Sequence, residues 1–183
     1  MNLKICIALS CFLGMGSVIA HEIQTPNMEV KDAAVSDTPR FAIYRAELPS
    51  GIRKTSVTVS DVKLKGKPVL TDKDIESYRV RDHALVLTEE GVAKVPSARE
   101  VGVYGQSFVM IADGERCYLG AFWINISSVD HHNPVIEVRA DEEGRTLKIE
   151  RAYPTPDFGR GEDPRPDPRI FKVFRELNKL DED

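Results

Sequence analysis

The chain has 183 residues, 42% of them apolar and 30% charged, with a formal charge of −4. That length suits one domain with its own hydrophobic core, and the apolar share is too high for a wholly disordered chain. The acidic balance argues against nucleic acid or an anionic bilayer as the main partner, because both require a basic stripe.

The chain opens with Lys4 and an apolar run from Ile5 to Ile19, and Val18 and Ala20 occupy the two small-residue positions before the sequence turns polar. This is the pattern of a secretory signal peptide. It predicts a signal over 1–20, cleavage after Ala20, a periplasmic or secreted location, and no transmembrane segment in the mature chain. Ala8-Leu9-Ser10-Cys11 is similar to a lipid-attachment signal, but the apolar stretch before it is short for a signal core. Of the three cysteines, Cys6 and Cys11 lie in the signal, so Cys117 remains alone with no internal disulfide partner. Its setting, Arg116-Cys117-Tyr118-Leu119, predicts a packed thiol in a strand. Residues 21–40 are polar, with Pro26 and Pro39 and no sustained period, and are read as a flexible leader.

A single domain is expected over 41–183. Phe41 to Glu47 is strand-like and is broken by Pro49-Ser50-Gly51. Val57 to Leu64 fits neither the helical nor the strand period. After the short apolar Pro68-Val69-Leu70, Thr71-Asp72-Lys73-Asp74 carries a capping signature and predicts one helical turn over Asp72 to Glu76. Tyr78-Arg79-Val80 and Ala84 to Leu87 predict two strands about a turn at Asp82-His83. Thr88-Glu89-Glu90-Gly91 starts a helix that Pro96 ends. Ser107 to Ala112 and Arg116 to Trp123 are buried-strand runs joined at Asp113-Gly114, the strongest short hairpin signal. Pro134 to Val138 and Thr146 to Glu150 are further strands, the second after a turn at Glu143-Gly144. Tyr153 to Pro168 is a proline-rich connector. Asp167-Pro168 then starts a C-terminal helix over 168–180, whose apolar face comprises Ile170, Phe171, Val173, Phe174, Leu177 and Leu180. Short strands with irregularly placed helices predict an α+β fold: a small mixed or antiparallel sheet with short helices and a C-terminal helix packed on it.

Three segments carry a family resemblance: Leu70-Thr71-Asp72-Lys73-Asp74-Ile75, Leu85-Val86-Leu87-Thr88-Glu89-Glu90-Gly91, and Val109-Met110-Ile111-Ala112-Asp113-Gly114. Pro134-Val135-Ile136 follows at a fitting distance. In order and spacing, Val69 to Val138 resembles the head subdomain of the large periplasmic domain of SecD and SecDF, membrane proteins that assist protein export. The resemblance implies the α+β fold and, more faintly, binding of a polypeptide. SecD-type proteins couple proton flow to motion through several membrane helices, and here the head would stand alone without that motor. Tyr153 to Arg169 also resembles a segment of small exported bacterial proteins.

Four groups of residues bear on chemistry. Cleavage after Ala20 would give His21 a terminal amine beside its imidazole, a Cu(II) chelate if His83 or His131 joined it. Asp130-His131-His132 places three ligand-capable side chains in a row, but adjacent strand residues face apart and zinc sites draw on separate segments. Asp157, Glu162, Asp163 and Asp167 form an acidic loop without the calcium-loop pattern, and Arg160, Arg165 and Arg169 would neutralise it. Ser127 and Ser128 near Asp130 and His131 suggest hydrolysis, but no Gly-x-Ser-x-Gly elbow, His-Glu-x-x-His or phosphate loop is present. The reading is a non-enzymatic exported module without cofactor or metal, binding a protein or peptide in the bacterial envelope. The alternative is a metal-dependent or hydrolytic enzyme built on the 127–132 loop.

Overall fold

The computed structural model describes residues 38–49, 57–138 and 144–183. The predicted signal, His21 and the leader up to residue 37 lie outside them, as does Glu143 of the predicted Glu143-Gly144 turn.

Strand β1 (Phe41–Glu47) is followed by β2 (Lys63–Thr71), β3 (Ile75–Arg79) and β4 (Ala84–Leu87). Two short helices, α1 (Glu89–Val92) and α2 (Ala98–Val101), precede β5 (Gln106–Ala112) and β6 (Glu115–Trp123). Then come β7 (Val135–Glu137), β8 (Thr146–Glu150), α3 (Pro168–Glu176) and β9 (Leu180–Asp181). The class is α+β. One mixed sheet of nine strands runs in the order β2-β1-β5-β6-β7-β8-β4-β3-β9. Only β6/β7 and β3/β9 pair parallel.

The sheet is rolled. β1 is second and β3 eighth in the order, which in a flat sheet would part them by about 29 Å. Yet the ring of Phe174 on α3 lies 4.8 Å from Phe41 of β1 and 5.3 Å from Tyr78 of β3. The two ends of the sheet therefore face each other across α3, and only the three-residue 3-10 turn Asp72–Asp74 separates β2 from β3. The interior is one apolar cluster that includes Phe41, Leu70, Tyr78, Leu85, Phe108, Met110, Phe122 and Phe174. Two smaller clusters cover parts of the outer face, one under residues 57–64 and one under Tyr153.

Local chemistry accounts for the elements. Asp113 and Gly114 have φ of 47° and 80°, so the β5–β6 hairpin has positive φ at both turn positions, as its two-residue loop requires. Cys117 is the extra residue where Met110 pairs with Tyr118 but Ile111 pairs with Arg116. Burial, and then the Asp167 carboxylate, push its thiol up to about 12, as suits a packed thiol. Thr88 caps α1 by accepting from the Gly91 N–H at 3.0 Å.

Several predicted boundaries are corrected. The turn after Thr71 ends at Asp74, because Ile75 is drawn into β3 opposite Leu87. α1 stops at Val92, short of Pro96, and Ser97 then caps a second helix through a box with Glu100. The C-terminal helix ends at Glu176 rather than 180. Asn178 takes φ of 56°, its N–H bonds to the Arg175 carbonyl at 3.0 Å, and the Lys179 N–H bonds to the Phe174 carbonyl at 2.8 Å. That is a left-handed helix stop, and it releases Leu180 into β9. Residues 57–64 are aperiodic in sequence; 57–62 lead through a turn into β2, which takes up Lys63 and Leu64. The Arg116 guanidinium holds this segment by donating to the carbonyls of Val59 and Val62, each at 2.9 Å.

Candidate functional site

The connector between β8 and α3 folds each Asp-Pro-Arg tripeptide the same way. Asp163 accepts from the Arg165 backbone N–H at 3.1 Å and from its guanidinium at 2.6 Å. Asp167 accepts from the Arg169 N–H at 2.9 Å and from its guanidinium at 2.6 Å. Proline between them fixes the tight bend. Arg165 also donates to the Ile149 carbonyl at 2.9 Å, and Arg169 reaches Glu115 at 3.1 Å. Each arginine holds its aspartate below the ordinary carboxylate range; at Asp163 this interaction is the leading cause, and at Asp167 it outweighs an opposing effect of burial. The acidic loop read from sequence is thus a pair of self-neutralised straps, and Asp157 and Glu162 stand apart from them.

The 127–132 loop is likewise tied internally. Ser127 donates its hydroxyl proton to the Val103 carbonyl at 2.8 Å and accepts from the Val129 N–H at 3.1 Å. Its proton goes to a backbone carbonyl, so no imidazole activates it. His131 pairs with Tyr153 through backbone bonds of 3.0 Å in both directions, and its ring lies 5.0 Å from that of Trp123. Its Nδ1 donates to the Asn133 carbonyl at 3.0 Å. His132 bonds the Phe158 carbonyl at 2.8 Å and the Asp130 carboxylate at 3.1 Å. Tyr153 donates to the carbonyls of Asn125 and Ser127 at 2.8 and 3.0 Å. His131 and His132 therefore serve different partners. Among the described residues, no group of three or more His, Cys, Asp or Glu side chains converges as a metal site. His83 lies elsewhere, sharing a 3.0 Å bond with the Tyr78 hydroxyl.

These ties have a consequence that the sequence did not signal. The Ser127–Val103 bond joins the 124–129 loop to the loop after α2. Together the two loops expose Val103 (47%), Tyr104 (71%), Ile126 (79%) and Val129 (37%). Four of the five large apolar side chains exposed among the described residues lie on these loops, and the fifth is Phe158. Neither loop contains a lysine or arginine. A signal exists in hindsight: Tyr104 lies between Gly102 and Gly105, and Ile126 between Asn125 and Ser127, too isolated for any core period.

Two of the surface hollows combine apolar and charged lining. A cleft of about 510 Å³ has an apolar part with Leu87, Val92, Val95 and Leu147, and a charged part with Arg79, Asp82, Lys148 and Glu150. Four of the charges in its lining are paired in place, Arg79 with Asp82 at 2.9 Å and Lys148 with Glu150 at 2.6 Å. A recess of about 400 Å³ lies beside β2 and is lined by Arg45, Lys65, Gly66, Lys67, Pro68, Val69 and Lys94.

No helix among the described residues is long and apolar enough to cross a membrane. Comparison with protein-family models, curated proteins and solved structures finds no match to the chain.

Proposed function

We propose that the folded unit is an exported binding module that docks a protein partner through Val103, Tyr104, Ile126 and Val129. The observation that carries this reading is the exposure of these four side chains on two loops fastened to each other. Exposed apolar side chains grouped in this way mark interaction surfaces. Rigid fastening lowers the ordering cost of binding. The absence of basic residues from both loops favours a protein over an anionic bilayer. Export follows from the signal-type sequence over 1–20, and the SecD-head resemblance over Val69 to Val138 accords with recognition of a polypeptide. The engagement of Ser127 by Val103, and of His131 and His132 by separate partners, gives the hydrolytic and metal-dependent alternative no assembled centre to build on.

A photo-crosslinking residue placed at Ile126 tests the docking site, with the same residue at Lys148, in the cleft with Leu87 and Leu147, as a control. The expected result is a discrete adduct from position 126 in envelope-exposed protein, absent from position 148 and lost in Tyr104→Ser. Equal labelling from both positions overturns the proposal. An adduct between two copies of the chain would assign the surface to self-association instead.

A further inference from the structure

The recess beside β2 contrasts with the acidic balance of the whole chain. Lys65 and Lys67 flank Gly66, whose φ of 66° lies in the left-handed region. Pairing slips from Arg45/Lys65 to Ile43/Leu70, so the segment between them bulges from the ladder. Lysines, a proline and a bulge at an edge obstruct pairing with a further strand. Docking of an extended segment on this edge is therefore disfavoured, and the lysines are left for another use.

Two acids reach the four cations. Lys94 is 2.6 Å from Asp74, which also accepts from the Thr71 N–H and hydroxyl. Arg45 lies 4.0 Å from Glu100. Lys65 and Lys67 have no acidic partner among the described residues. The recess thus holds four positive charges against two negative ones, a net of +2. The Arg45 Nε–H is shielded from solvent and has no hydrogen-bond acceptor among the described residues, a state that costs free energy.

We propose that this recess binds a phosphate-monoester group. Such a group carries about −1.5 to −2 at neutral pH and presents three strong acceptor oxygens. That matches the net charge, whereas a single carboxylate would leave an excess of positive charge. Lys65 and Lys67 line the recess from the bulged segment, with Pro68 and Val69 beside them.

Calorimetric titration of the full chain with inorganic phosphate at low salt tests the site. Phosphatidylcholine vesicles with and without phosphatidic acid form the second arm. The expected result is one saturable site for at least one probe, weakened tenfold or more in Lys65→Gln/Lys67→Gln and in Arg45→Gln. Lys63→Gln, which changes a charge on the same strand outside the recess, should retain binding. Phosphate binding alone identifies a soluble ester as the ligand, and pelleting only with phosphatidic acid identifies a lipid headgroup. Binding to neither probe, or equal loss in Lys63→Gln and the recess variants, overturns the proposal. Thermal unfolding of each variant confirms that the fold is intact.

Discussion

His83 shows how a single side chain can set the acid response of the fold. It sits at the β3–β4 turn with φ of 50°, bonds Tyr78, and stacks on Phe171 at 6.5 Å between ring centroids. Burial first, and then the Arg165 charge, lower its pKa below the ordinary 6.5, while Asp163 and Asp82 act the other way. The unfolded chain therefore takes up a proton that the folded one resists. This contribution to stability is complete above about pH 6.5 and is lost as pH falls from there toward the lowered folded value. The carboxylates of Asp74, Asp113, Asp163 and Asp167, all lowered from 3.8, act only in stronger acid. His83→Asn keeps a residue that tolerates positive φ and should flatten the fall in denaturant midpoint between pH 7 and 5, an interval chosen from the ordinary histidine range. An unchanged slope would assign that interval to other groups. At this scale the sequence was informative about local pairs: Asp163 with Arg165 and Asp167 with Arg169 are two residues apart, and proline fixes their bend. It was silent on Ser127 and Val103, whose bond spans 24 positions.

Among the elements, α3 has the greatest effect on closure. Ile170, Val173 and Phe174 are fully buried, while the Lys172 side chain is 63% exposed. Phe174 touches rings from both ends of the sheet, so its removal leaves a hole between them. Phe174→Ala should cost about 3–5 kcal/mol, against a total stability typically near 5–15 kcal/mol, and Lys172→Ala should cost little. Denaturant unfolding separates the two, and similar midpoints would show that the helix is not the closing element. The strand runs at 41–47, 84–87 and 107–123 were legible because each alternates or is continuously apolar and ends at a turn residue. The stop of α3 was not, since the apolar spacing continues through Leu177 and Leu180 while Asn178 ends the helix by its backbone. β9 was invisible for a related reason: two residues carry no period, and only their distant partners Tyr78 and Arg79 make them a strand.

For the molecule as a whole, the α+β class follows from the mix of short strands and helices, but the rolling of nine strands does not. It depends on pairings such as β7 with β8 and β3 with β9, which no local pattern specifies. The last strand is held at its end of the sheet by residues far apart in sequence. The Tyr78 N–H donates to the Lys179 carbonyl at 2.8 Å, and the Lys179 ammonium donates to the carbonyls of Asp72 and Ile75, each at 2.6 Å. A kinetic consequence follows. The loop this closure completes is about a hundred residues long, and such contacts form late because their entropy cost falls due before they contribute. A chain delivered from its N-terminus, at a ribosome or through a pore, reaches residue 160 with the Phe41 and Tyr78 faces still wet. It becomes a stable body only when 168–181 arrives. A chain stopped after Gly161 should accordingly bind a fluorescent apolar dye and lack a sharp thermal transition, and a peptide of 162–183 added in trans should restore one. A sharp transition without the peptide would place closure earlier. On this timetable the protein stays threadable until α3 has been delivered, and that helix acts as the timer for folding.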